Sequence, residues 1–140
     1  MKSGEIFNEL FFSLNSIHRK EVCFGEGDSL AQCLTILSIP KNGSKMHIVS
    51  KKLGVDKSTL TRLVDNLEKL ELAYRKKNSK DKRSVKVYLT KKGLLHAYEY
   101  RYKLDILGDR ILNNAQIDKK ELLNILERLV WELWKYNFSV

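Results

Sequence analysis

The 140-residue sequence predicts a mainly α-helical single domain carrying one small β-hairpin, and three observations predict it. Apolar residues recur at helical spacing in six segments, two short runs before residue 90 have strand character, and a two-residue glycine turn, Gly54-Val55, joins two of the helices. An apolar fraction of 43% is too high for a disordered chain, and the length suits one core rather than two. The longest apolar stretches fall far short of the roughly 20 residues that span a bilayer. The first residues carry Glu5 and Glu9 and no secretory leader pattern, so a cytoplasmic location is expected.

In residues 4–22, Ile6, Phe7, Leu10, Phe11, Leu14 and Ile17 form one helical stripe. Gly25, Gly27 and Asp28 interrupt it, and Asp28 or Ser29 is placed to cap a second helix containing Leu30, Cys33, Leu34, Ile36 and Leu37. Pro40 closes that helix, because the residue before a proline is pushed away from helical angles. Lys41-Asn42-Gly43 reads as a turn, with Ser44 expected to cap a short helix through Met46, Val49 and Leu53. After Gly54-Val55, Asp56 is expected to cap a helix over 57–70, accepting from the backbone N–H of Ser58 or Thr59. Its buried face is Leu60, Leu63, Val64, Leu67 and Leu70; its polar face is Ser58, Thr61, Arg62, Asp65 and Lys69.

Residues 72–77 and 84–89 read as strands, the second alternating Val85, Val87 and Leu89 with polar neighbours, joined by the charged tip 78–83. Thr90 caps a long helix over 91–113 that carries Leu94, Leu95, Tyr98, Tyr102, Leu104, Leu107 and Ile111 and ends at Asn113-Asn114. Asp118 and Glu121 resemble a capping box opening a last helix with Leu122, Ile125, Leu126, Leu129, Trp131, Leu133 and Trp134. So apolar a terminal helix holds more greasy surface than one small chain covers, and self-association is the simplest way to hide it.

The net charge of +9 is unevenly spread. Residues 41–93 hold 16 Lys or Arg against 5 Asp or Glu, leaving 10 against 12 elsewhere, so the positive field belongs to the segment with the short helices and the hairpin. Short hydroxyls and a guanidinium on the 57–70 helix suit base edges and phosphates, with Ser58, Thr61 and Arg62 in a major groove and the basic hairpin beside it. Ordinary solvation accounts for that polar face and for the charged tip equally well when either is taken alone. Their coincidence with the charge block favours a polyanion.

No P-loop, GxGxxG, HExxH or nucleophile-elbow pattern is present, which argues against an enzyme, and no cofactor is expected. His18, His47 and His96 lack metal-ligand spacing. Cys23 and Cys33 form no CxxC and read as buried reduced thiols; an oxidation-sensing Cys23 would need a depressed thiol pKa and access to solvent. The basic residues surround a hairpin rather than lining one face of a helix, which argues against a membrane surface.

Over residues 48–93 the chain resembles the MarR family (multiple antibiotic resistance regulators). The resemblance lies in Leu53-Gly54-Val55-Asp56-Lys57-Ser58-Thr59-Leu60-Thr61-Arg62-Leu63-Val64-Asp65-Asn66-Leu67-Glu68-Lys69, in Asp81-Lys82-Arg83, and in Leu89-Thr90-Lys91-Lys92-Gly93. It implies a winged helix-turn-helix whose N- and C-terminal helices form a dimerisation region. The corresponding division is 1–28 and 108–140 for dimerisation, 29–93 for the DNA-binding lobe and 91–113 for a connecting helix, all in one domain. The implied function is a transcriptional regulator, a repressor binding pseudo-palindromic duplex DNA as a homodimer and released by a small-molecule effector.

By the same resemblance Ser58, Thr59, Thr61 and Arg62 are recognition-helix positions, Arg83 enters a minor groove, and Asp81 holds the wing in shape. Lys57, Lys76, Lys80 and Lys82 are the candidate phosphate contacts. Phe11, Ile17, Leu34, Tyr98 and Tyr102 are the candidate effector pocket, although core packing explains them as well. Glu71 stands where the family usually has glycine, and Val49 where it often has alanine, so a different turn and a wider helix crossing are expected there. The rival reading is a winged helix that binds RNA or protein without operator specificity.

Overall fold

The computed structural model describes residues 1–23, 28–78, 80–81 and 84–139. Helix α1 (Ser3–Ile17) runs into a π-helical turn (His18–Val22), together covering the predicted first segment. Helix α2 (Leu30–Ser38) is capped by Ser29, whose hydroxyl accepts from the Gln32 N–H at 3.1 Å. It ends where Ile39 turns extended before Pro40. Gly43, at φ +77°, then reverses the chain.

Here the structure corrects the expectation for Ser44. It caps no helix; with Lys45 it forms strand β1 (Ser44–Lys45), and helix α3 (Met46–Leu53) starts without a side-chain cap. Strand β1 pairs with β3 (Val85–Leu89), which pairs in turn with β2 (Ala73–Lys77), so the expected hairpin is part of a three-stranded antiparallel sheet ordered β1-β3-β2. The far side of β3 offers backbone partners to any short segment beside it, and two residues suffice to satisfy them.

Helix α4 (Lys57–Lys69) follows Gly54, which takes the left-handed conformation at φ +68°. Leu60, Val64 and Leu67 are fully buried, Leu63 is partly so, and Leu70, expected inside, is 41% exposed at the helix end. The buried face meets Val22, Cys33, Ile36, Ile39, Val49, Leu72 and Val87 in one core. Val49, the departure from alanine, is an ordinary part of that core.

The turn after α4 keeps the geometry that glycine favours although Glu71 occupies it. Glu71 sits at φ +61°, its N–H donates to Glu68 O at 3.0 Å, and the Leu72 N–H donates to Leu67 O at 2.8 Å, the paired bonds of a Schellman ending. Thr90 ties this turn to helix α5 (Lys91–Ala115): its hydroxyl donates to Glu71 O at 2.6 Å and accepts from the Gly93 N–H at 3.0 Å. Gly93 is required by close approach. A Cβ there would stand 2.0 Å from Leu72 O.

Helix α5 outlasts the expected stop at Asn113-Asn114 and ends at Gln116, in the left-handed conformation at φ +54°. Its buried side is Gly93, Ala97 and Tyr100, whereas Leu95, Tyr98, Tyr102 and Ile111 are exposed. Tyr100, which periodicity overlooked, donates its hydroxyl to Asp28 Oδ2 at 2.8 Å. Burial, then Asp28, pushes its pKa up. Helix α6 (Lys119–Ser139) opens with the Glu121 N–H donating to Asp118 Oδ1 and ends against α3, where Asn137 Nδ2 donates to Lys51 O at 3.0 Å. Neither α1 nor α6 buries a residue within the chain. Ile6, Phe7, Leu10, Phe11 and Phe12 on α1 and Val130, Trp131, Leu133 and Trp134 on α6 are all more than 40% exposed.

Two substitutions test the joint between α4 and α5. Glu71→Gly relieves left-handed strain at the cost of backbone entropy and is expected to raise stability by about 0.5–1 kcal/mol. Gly93→Ala drives a methyl group into the Leu72 carbonyl and is expected to cost about 1–3 kcal/mol. Urea denaturation of both variants checks the opposite signs.

Candidate nucleic-acid interface

The candidate surface begins at the N-terminus of α4. Asp56 Oδ1 accepts from the Thr59 N–H at 2.7 Å and from the Ser58 hydroxyl at 3.0 Å, closing the first turn as expected. The Thr61 hydroxyl donates to Lys57 O at 2.9 Å. In these bonds both hydroxyl protons are committed, so Ser58 and Thr61 present oxygen lone pairs outward. Lys57, Ser58 and Arg62 are exposed, and Thr59 and Thr61 are half-buried. The burial of Leu60, Val64 and Leu67 on the opposite side turns this set toward solvent.

Beside it stands the hairpin. Lys76 and Lys80 are exposed on β2 and its turn. Lys82 and Arg83 lie outside the described residues. The Asp81 carbonyl accepts from the Ser84 N–H at 3.0 Å, and the Asn78 N–H donates to Ser84 O at 3.0 Å. Strand β1 adds Lys45, exposed opposite Lys86. A cleft of about 310 Å³ under the N-terminal half of α4 is lined by Lys45, His47, Lys57, Thr61 and Arg75 among others. Lys45 reaches this cleft from the unforeseen strand β1, and His47 from the first turn of α3.

Arg75 is the other residue that sequence reasoning missed. Its Nε donates to Glu68 Oε1 at 3.0 Å and its Nη2 to Glu68 Oε2 at 3.1 Å, while Nη2 also reaches Asp65. The Arg75 backbone N–H donates to Glu68 Oε1 as well, at 3.0 Å. Asp65, expected on the polar face of α4, is thus a partner in an ion-pair cluster. Glu68 chiefly, then Asp65, raises the Arg75 pKa against the opposing effect of burial.

The remaining candidates are dispersed. Leu34 lines a cleft of about 350 Å³ with Arg19, Thr35, Leu53, Val55 and Leu63. Of the other proposed effector contacts Ile17 is half-buried, and Phe11, Tyr98 and Tyr102 are exposed, the two tyrosines stacked at 6.5 Å. Cys23 and Cys33 are buried free thiols, and burial raises both pKa values. Cys23 therefore has neither the depressed pKa nor the access that oxidation sensing requires. Among the described residues no cluster of His, Cys, Asp or Glu is arranged to hold a metal, and no helix is long and apolar enough to cross a membrane.

Residues 43–85, from the turn before β1 to the start of β3, match the MarR family model. Over this segment the chain is similar to the MarR family. Over 101 residues it is 30% identical to the HTH-type transcriptional repressor MdtR of Bacillus subtilis (strain 168), an alignment covering 66% of this chain. The chain spans about two thirds of that relative, 65% of its length. Its fold is similar to that of Streptococcus pneumoniae FabT solved in complex with DNA, with a TM-score of 0.74, 22% identity, and 97% and 95% of the two chains covered. It is similar also to the S. aureus MepR–DNA complex, with a TM-score of 0.71, 16% identity, and 96% and 98% covered. These likenesses identify the fold as a winged helix-turn-helix, with α3 and α4 as the helix pair and β2–β3 as the wing.

The cap of α4 gives a pH test. Hydrogen bonds from Thr59, then Ser58, hold the Asp56 carboxyl below its ordinary 3.8. A lowered folded pKa contributes stability that is present above the unfolded value and lost as pH falls through the folded one. Asp56→Asn keeps an oxygen acceptor and removes the charge. The wild type is expected to melt above this variant at neutral pH and to lose that lead below about pH 4; a gap independent of pH would remove the carboxylate's charge from the cap.

Proposed function

We propose that this chain is a sequence-specific duplex-DNA-binding transcriptional regulator, a repressor working as a homodimer in the cytoplasm and not an enzyme. The observation that carries the reading is the polar face of α4, where Lys57, Ser58 and Arg62 are exposed and Thr61 half-buried beside a hairpin bearing Lys76 and Lys80. In this reading α4 enters a major groove, with Ser58, Thr59, Thr61 and Arg62 toward base edges. Lys57, Lys76, Lys80 and Lys82 neutralise phosphates, Arg83 reaches the minor groove, and Asp81 shapes the wing. That MdtR is a repressor and that FabT and MepR have been solved with DNA supports the assignment.

The homodimer rests on α1 and α6, neither of which has a buried residue and whose apolar faces are largely exposed among the described residues. The domain division follows: 1–28 and 108–140 for dimerisation, 29–93 for the DNA-binding lobe and 91–113 as the connection, of which α5 extends two residues further. An effector pocket involving Phe11, Ile17, Leu34, Tyr98 and Tyr102 would be completed by the second copy, since three of the five are exposed in one chain.

Selection of duplexes from a random-sequence pool by the purified protein tests the reading. An enriched inverted repeat is expected, bound with a steep salt dependence of about 0.9 log–log units per neutralised phosphate. Arg62→Ala is expected to lose about 1–3 kcal/mol at one position of each half-site and to relax preference there. Equal binding to all duplexes, or tighter binding to RNA, would favour an interaction module instead.

A further inference from the structure

We propose that Arg75 is a positioning residue for DNA recognition, fixing the angle between the wing and α4 through its clasp on Glu68 and Asp65; this rests on the DNA-binding reading above. Asp65 lies three and four residues beyond Arg62 and Thr61, on the side of α4 that bears the candidate base contacts. Arg75 lies on β2, an edge strand whose outward backbone N–H would otherwise be unpaired. Glu68 takes both that N–H and the guanidinium, so one carboxylate grips backbone and side chain of the same residue.

The place of the clasp in the sheet makes it a hinge point. Arg75 is opposite Val87, which is opposite Ser44, so the sheet is three strands wide there. One row further, at Lys76–Lys86–Lys45, β1 ends, and the hairpin continues on two strands alone. The direction in which β2 and β3 run on beyond β1 is therefore set within two residues of the clasp. An isolated surface ion pair would contribute little, but this one is a forked guanidinium shared by two carboxylates and reinforced by a backbone bond. Lysine has the charge without the fork.

Arg75→Lys preserves net charge, so it separates geometry from electrostatic attraction. The probes are the inverted repeat selected by the wild type and a random-sequence duplex of equal length. The variant is expected to bind the repeat about tenfold more weakly, the size of one lost base contact. It should bind the random duplex within about twofold of the wild type, with an unchanged salt slope. Wild-type affinity for the repeat, or equal weakening on both duplexes, overturns the proposal, the second by making Arg75 a phosphate contact.

Glu68→Ala supplies an independent reading. It removes a negative charge, so charge alone would tighten binding to every duplex, whereas loss of the clasp weakens the repeat selectively. Hydrogen exchange without DNA follows the Arg75 N–H, which should exchange faster in Glu68→Ala while the β3 amides keep their protection. Unchanged exchange of that amide overturns the clasp whatever the DNA result. A wild type that selects no repeat overturns the DNA-binding reading, and with it the role in recognition, while leaving the exchange result intact.

Discussion

Leu60, Val64 and Leu67 lie along one side of α4 with no exposure, packed between α2, α3 and the sheet. Burying such side chains contributes about 1.5–3 kcal/mol each, so the rotation of α4 about its axis is held by several kcal/mol. Turning the helix by one residue would bring Thr61 or Asp65 into the core. The outward aim of Ser58 and Arg62, the reach of Glu68 to β2, and the left-handed turn at Glu71 that starts the wing all follow from this one rotational constraint. Thr90 and Gly93 then fasten α5 to that turn.

Charge is arranged on the scaffold with two purposes. Lys45, Lys57, Lys76 and Lys80 stay exposed, whereas the acids of α4 are engaged: Asp56 in a cap, Asp65 and Glu68 with Arg75. A helix that carries three carboxylates at and beyond its start can still meet a polyanion because each is tied to a local donor. The apolar faces of α1 and α6 stay largely exposed among the described residues, so two surfaces with different chemistry, one greasy and one basic, stand on the same small domain.

Much of this was legible in sequence because it is local. Caps announce themselves within three residues, as Ser29, Asp56 and Thr90 do, and the rotation of α4 is written in its own 3.6-residue period. What escaped depends on distant partners. Strand β1 is two residues whose conformation is decided by β3, some forty positions away; Arg75 looked like one more basic residue until α4 and β2 were brought together. Long helices gave the weakest signal. On α5 the large rings Tyr98 and Tyr102 suggested the buried side, yet the small Gly93 and Ala97 face the core because the chain approaches closely there. The roles of Asp81 and Arg83 follow from resemblance alone, whereas the basic tip was legible in the charge block; Lys82 and Arg83 lie outside the described residues.

The central claim joins the two surfaces: apolar helices pair two chains so that two copies of α4 read one duplex. Hydroxyl-radical footprinting on a selected duplex, combined with the stoichiometry of the complex, tests it most directly. The account predicts two chains per duplex and two symmetric protected tracts about one helical turn, roughly 34 Å, apart. A single tract from one chain, or uniform protection along the duplex, would contradict it.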